Sequence, residues 1–382
     1  MTGRHAGGSR RGVAYVTLVL AAVGALLTGL GVWITWSDGS GGTDGKEDSS
    51  RPAGHALPDN AASGKLPDGP CAPDAELEPS CGAWWGAYVP YAANGSLKDA
   101  VYGFEKKIGR KLDLVYNYHD MSRGTLDGQL LTPDEQALGR DRLLMLAWES
   151  TVWKEPHHAN WTEDQLGWKN IASGKYDEEI IDPQARRIKA YGKRIFFSFD
   201  QEVDFRVNDA GTPAEYVAAY RHLHDRFKAL GVDNVVWVWT VSGYLKHGEL
   251  MKQLYPGDAY VDWIGMDQYN YFLCHKSPNW LDFDQSQRPS YDWLRANISD
   301  RKPVMLAEFG TAPDPADPDR QRDWYAAIPE TVRTMREAKG LVQWNRAVPG
   351  KNCDLTVDSG PALEGYREAG RDKWFKQQVP PR

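Results

Sequence analysis

The sequence predicts an α/β protein, a (β/α)8 barrel preceded by one membrane-spanning helix and a flexible linker. Three observations carry this. Short apolar runs recur eight times, with helix-like stretches between them. Their spacing is roughly 37 residues per step, the size of a strand–helix unit, and eight such units make a barrel of about 250 residues. Finally, an uncharged apolar run near the N-terminus is set apart from this pattern by a stretch rich in Gly, Ser, Asp and Pro.

The elements follow in order. Residues 1–12 form a basic N-terminus with Arg4, His5, Arg10 and Arg11, and residues 13–36 contain no charge. At about 1.5 Å per residue the run is long enough for a hydrocarbon core of about 30 Å. It continues through Trp33 and Trp36, which suit an aromatic interfacial belt, and it exceeds the apolar region of a cleavable signal peptide. The expectation is a single-pass signal anchor with a cytoplasmic N-terminus and the remainder outside the cell, or a secreted protein if the anchor is cut. Residues 37–70 read as a disordered tether and residues 71–382 as the folded domain. All four cysteines, Cys71, Cys81, Cys274 and Cys353, lie beyond the anchor. An even count in an oxidising compartment points to two disulfides. Three pairings are open, and Cys71–Cys81 with Cys274–Cys353 is preferred.

The eight runs are WWGAYVP (84–90), LDLVYNY (112–118), RLLMLAWES (142–150), RIFFSFDQE (194–202), NVVWVWTVS (234–242), DWIGMDQYN (262–270), PVMLAEFGT (303–311) and LVQWN (341–345). Thr212-Pro213-Ala214-Glu215 carries the signature of a capped helix start, and Leu230-Gly231 and Lys339-Gly340 read as helix stops. No glycine-rich dinucleotide fingerprint follows a strand, which weakens an open doubly wound sheet. A net charge of −7 disfavours a nucleic-acid partner. Zinc spacings, phosphate loops and HExxH are absent, so neither metal nor cofactor is expected; His157-His158 reads as loop.

Catalytic groups of such barrels sit at the C-terminal ends of the strands. The fourth run ends in Asp200, Gln201 and Glu202, with Asp204 beyond. Period-two alternation assigns Asp200 and Glu202 to the face of Ser198 and turns Gln201 the other way. Asp204 and Asp209 read as solvated loop acids. In the seventh run Glu308 shares a face with Val304 and Leu306 and should emerge into the barrel mouth. Two carboxylates facing each other across a cleft suit glycoside hydrolysis. Trp148, Trp239 and Trp344 mark strand ends, where indoles can cover sugar faces, and Asp267 and Tyr269 share a face at the end of the sixth run. The stretch from Ser150 to about Tyr176, with Trp153, Trp161 and Trp168, is long for a strand–helix connection and is expected to wall the cleft.

WGAYVP, YPGDAYVDWIGMDQYN and MLAEFGT together resemble glycoside hydrolase family 26, whose best-known members are endo-β-1,4-mannanases. The likeness runs in order along residues 84–350. It implies a retaining (β/α)8 barrel with Glu202 as acid/base and Glu308 as nucleophile. It further implies that Asp267 and Tyr269 line the site beside the nucleophile and that Trp344 forms a platform under the sugar. Two departures stand out: Gln201 replaces the usual His before the acid/base, and Asn345 follows Trp344 where mannan-cleaving members often carry Arg. The expected function is a membrane-tethered extracellular retaining endo-β-glycanase acting on β-mannan or a related β-glycan, mixed-linkage β-glucan and β-1,3-xylan included. The expected partners are thus the polysaccharide, bound in part through Gln201, and the membrane. The alternative is a catalytically inactive cell-surface glycan-binding protein on the same barrel.

Overall fold

The computed structural model describes residues 71–375, apart from 93–94, 275–276 and 349–352. The expected basic N-terminus, anchor and linker lie outside the described residues. Among the described residues no helix is long and apolar enough to cross a membrane.

Eight parallel strands close into a barrel. They are β1 (Trp84–Tyr88), β2 (Leu114–His119), β3 (Leu143–Trp148), β4 (Ile195–Phe199), β5 (Val235–Val241), β6 (Trp263–Asn270), β7 (Val304–Thr311) and β8 (Ala338–Trp344). Each pairs with its sequence neighbour, and β1 closes the ring on β8, with Trp84 opposite Gly340 and Tyr88 opposite Trp344. Alternation divides the side chains into two cores. Inside the barrel lie Leu114, Met145, Ala147, Phe196, Val236, Val238, Met305, Ala307 and Val342. Between barrel and helices lie Leu144, Leu146, Trp148, Phe197, Trp237, Trp239, Ile264 and Leu306.

The helix starts follow their sequence signals. Thr212 caps Pro213–Ala229 in a full capping box with Glu215, and that helix closes on Gly231 at a φ of +71°. Lys339-Gly340 differs from expectation: both residues lie inside β8, and the preceding helix already ends at Thr334. Gly340 serves packing instead, since a Cβ there would meet the Met305 side chain at 3.2–3.3 Å.

The end of the barrel opposite the strands' C-termini is plugged. Leu77 is fully buried in the inner core, and the indoles of Trp84 and Trp263 donate to the carbonyls of Leu77 and Glu76 at 2.8 and 2.7 Å. The Cys71–Cys81 bond closes this plug, and Cys274–Cys353 joins the segment after β6 to the segment after β8. Both are the preferred pairs. The second bond lies on the rim of the open end, where Val348 and Cys353 also pair in a short ladder.

Candidate active site

β4 stops at Phe199, and the chain then leaves regular extended geometry. Asp200 and Glu202 both adopt left-handed backbone conformations, with φ of +51° and +50°. Such conformations are uncommon for residues with side chains and cluster at functional sites. The expected sharing of one strand face by Asp200 and Glu202 therefore fails, because pleating ends before them. Asp200 turns away from the cleft. Fully buried, it accepts hydrogen bonds from Ser150 N at 2.7 Å, Ser150 Oγ at 2.6 Å and Trp168 Nε1 at 2.6 Å. It thus fastens the start of the β3–β4 connection, at Ser150, and a point within it, at Trp168.

Glu202 opens the single turn Val203–Arg206. Burial and the nearby charges of Glu308 and Asp204 push its carboxyl up to about 8. Asp204 is no solvated loop acid. It is buried and accepts from Ser242 N at 2.8 Å and from Ser242 Oγ, with His247 Nδ1 at 2.9 Å.

Glu308 stands on β7 opposite Asp267 of β6, at a register shift between the two strands. Tyr118 donates to its Oε1 and Tyr269 to its Oε2. Burial lifts its carboxyl to about 7, against the opposing pull of these two hydroxyls. Asp267 is buried, and among the described residues neither of its oxygens has a hydrogen-bonding side chain. Burial first, then the charges of Glu308 and Glu202, hold it well above the usual carboxylate range.

Trp344 also reaches the mouth. Its ring stacks on Tyr88 at 5.9 Å and meets the edge of Tyr269 at 6.3 Å. Trp148 and Trp239 do not. Both are fully buried in the outer core, Trp148 against Phe197 and Trp239 against Tyr255. The pleat explains this correction, because Trp148 shares the face of Leu144 and Leu146 and Trp239 that of Trp237.

Gln201 is buried and donates through Nε2 to Glu149, the residue that follows β3. Glu149 also accepts from Trp153 Nε1 at 2.9 Å and pairs with Arg206 at 3.0 Å. Arg206 reaches Glu163 at 3.7 Å and Asp200 at 3.9 Å. Glu149, His158 and Glu163 bring possible ligand atoms within 4.8 Å of one another. The Arg206 guanidinium already supplies the cation there, which speaks against a metal. His157 stacks on Tyr91 at 3.6 Å and pairs with Asp127 at 2.5 Å. Asn345, in the position after Trp344, is buried and structural: it accepts from Val357 N at 2.8 Å and donates to Asp358 at 3.2 Å.

The β3–β4 connection forms a small antiparallel ladder of Thr151–Trp153 with Glu163–Gln165. Trp161, 47% exposed at its tip, comes within 6.3 Å of Trp344 and lies under the Arg346 guanidinium at 4.7 Å. The segment crosses the rim toward β8. Glu149 and Tyr118 were missed by the sequence reading. Both lie on inward-facing registers, Glu149 after Met145 and Ala147, and Tyr118 after Leu114 and Tyr116.

Comparison with known proteins bears on this arrangement. The model of glycosyl hydrolase family 26 matches residues 204–285. Endoglucanase H of Acetivibrio thermocellus is 31% identical over 303 residues, covering 75% of this chain and 30% of that protein. Beta-1,3-xylanase TXYA of a Vibrio species is 28% identical over 158 residues, covering 39% of this chain and 32% of that protein. The chain therefore spans about a third of the length of the curated relatives it matches. Among solved structures, the GH26 beta-mannanase of Bacteroides ovatus superposes with a TM-score of 0.55 at 15% identity, covering 79% of this chain and 90% of that one. A beta-mannanase from a symbiotic protist of the termite Reticulitermes speratus gives 0.54 at 15% identity, covering 78% and 90%. At such identity these two carry the fold.

Proposed function

We propose that this chain, a member of glycosyl hydrolase family 26, is a retaining endo-β-glycanase that hydrolyses β-mannan or a related β-glycan. The observation that supports the reading best is the unequal setting of two carboxyl groups at one end of the barrel, Glu308 buried and Glu202 half-buried. Glu202, pushed up to about 8, keeps its proton at neutral pH, and Glu308, held by Tyr118 and Tyr269, gives up its own first.

In the proposed mechanism Glu202 donates its proton to the departing glycosidic oxygen while the Glu308 carboxylate attacks the anomeric carbon. A glycosyl–enzyme ester results. Glu202, now ionised, takes a proton from water, whose oxygen attacks the same carbon and releases Glu308. Trp344 offers an aromatic face to the sugar on the Glu308 side, and Asp267 and Tyr269 set the carboxylate's surroundings. Gln201 acts through Glu149, to which it donates.

The same proposal places the barrel outside the cell, tethered through residues 13–36, whose lack of charge and preceding arginines support it. The two disulfides suit an oxidising compartment.

The alternative is a cell-surface glycan binder, motivated by Gln201 in place of the family's His. The deciding experiment measures reducing ends released from mannan, mixed-linkage β-glucan and β-1,3-xylan, with Glu308→Gln in parallel. Release from one polymer, lost in the variant, is expected. Equal binding by both proteins with no cleavage would overturn the hydrolase in favour of the binder.

A further inference from the structure

Directly beside Glu202 the protein presents an aromatic surface that the two-carboxylate mechanism leaves unused. Phe205 lies on the same helical turn as Glu202, its amide donating to the Glu202 carbonyl at 2.9 Å, and it is 54% exposed. Its ring stacks on Tyr244 at 6.0 Å with 22° between planes, and the His247 ring packs edge-on against both, at 4.9 and 5.0 Å. Tyr244 and His247 come from the segment after β5. Gly243 sets the bend there at a φ of +68°, its carbonyl accepting from Ser290 Oγ at 2.6 Å.

This surface is anchored. Asp204, the neighbour of Phe205, holds His247 Nδ1 and Ser242, and Ser242 Oγ in turn accepts from the Tyr244 amide at 3.2 Å. The three rings are therefore fixed to the turn that carries Glu202. An exposed phenylalanine costs solvation unless something covers it, and here the neighbouring group is the proposed proton donor.

Resting on the proposed function, we infer that Phe205, Tyr244 and His247 form the platform for the leaving-group side of a neutral β-linked glycan. A general acid must touch the glycosidic oxygen, so the departing sugars pass over the segment bearing that acid. Glu308, Tyr269, Tyr88 and Trp344 gather on β7, β6, β1 and β8, whereas Glu202 and the platform belong to β4 and β5. The polymer then runs from Trp344, past the two glutamates, onto Phe205. Pyranose C–H faces suit such rings, and His247 and the Tyr244 hydroxyl supply polar edges for sugar hydroxyls.

The test uses the full chain and compares Phe205→Ala and Phe205→Trp with the unsubstituted protein. Substrates are hexaoses of mannose, mixed-linkage glucose and β-1,3-xylose, and the matching nitrophenyl disaccharide glycosides, which carry no sugar beyond the scissile bond. Phe205→Ala should lower kcat/KM on the cleaved hexaose roughly tenfold relative to the nitrophenyl substrate, mainly through KM. Phe205→Trp should restore it. An equal loss on both substrates, or none on either, overturns the inference while leaving the hydrolase intact. If no substrate is cut, the hydrolase reading falls, and calorimetric titration with the hexaoses decides the platform. A Kd weakened about tenfold in Phe205→Ala retains it as a glycan surface. Equal Kd values, or no binding by the unsubstituted protein, overturn it.

Discussion

Tyr269 donates its hydroxyl hydrogen to Oε2 of Glu308 from the neighbouring strand, and the pair gives the carboxylate a fixed orientation. The bond favours the ionised form, so it works against the burial that lifts Glu308. Tyr269→Phe removes a donor to the anion and leaves the ring. The acidic limb of the kcat/KM profile should move to higher pH by about one unit, and activity at pH 6 should fall about tenfold. A pH–rate series on the wild type and the variant measures both. A uniform loss at every pH would assign Tyr269 to substrate binding alone.

The order of the two carboxyl groups fixes the shape of the pH profile. Activity should rise as Glu308 ionises near 7 and fall as Glu202 loses its proton near 8, giving a narrow optimum between these values. A profile flat from pH 5 to 9 would contradict the assignment.

Stability carries the same signature. The folded protein holds Glu202 above its ordinary value, so its contribution is fully present below about 4.5 and is lost as pH rises through about 8. Glu202→Gln cannot ionise. Its Tm should therefore exceed that of the wild type by about 2 °C or more at pH 9 and match it near pH 4.5, by calorimetry at both values.

Arg206 is the counter-charge of the β3–β4 connection, set between Glu149, Glu163 and Asp200. Arg206→Met leaves buried carboxylates unpaired and should cost about 3–5 kcal/mol in urea unfolding. A change below about 1 kcal/mol would show that the cluster is solvated.

The Cys274–Cys353 bond spans 79 residues and ties together the segments that follow β6 and β8. Loop-closure entropy puts its contribution at about 4 kcal/mol. Cys274→Ser with Cys353→Ser should lower stability by about that amount in urea unfolding. Activity should also fall while circular dichroism stays native, because Tyr269 and Trp344 precede the two bonded segments. Unchanged activity would show that the rim holds its shape without the bond.

Much of this was legible in the sequence. The eight runs and their spacing foretold the barrel, and the alternation in VMLAEFG set Glu308 at its mouth. The same alternation, applied strictly to RLLMLAWES, excludes Trp148 from the cleft and brings in Glu149 beside Met145 and Ala147. The misreading of Trp148 came from weighting its chemistry above its pleat. Asp200 and Glu202 are different. Their left-handed backbones arise from bonds to Ser150 and Trp168 and from the turn that follows, which are tertiary contacts that no local pattern encodes. Asp204 likewise looked solvated because its partners, Ser242 and His247, lie some forty positions away.

The plug under the barrel has a practical consequence. Ala83 N donates to the Trp374 carbonyl at 3.2 Å, and Phe375 packs on Trp85 at 4.6 Å, so the described chain begins and ends at the sealed pole. A purification tag, a bead linkage or a fused module added at either of these ends attaches on the far side from the glutamates. Immobilised that way, the barrel would present its working end to an insoluble polymer, with both handles behind it.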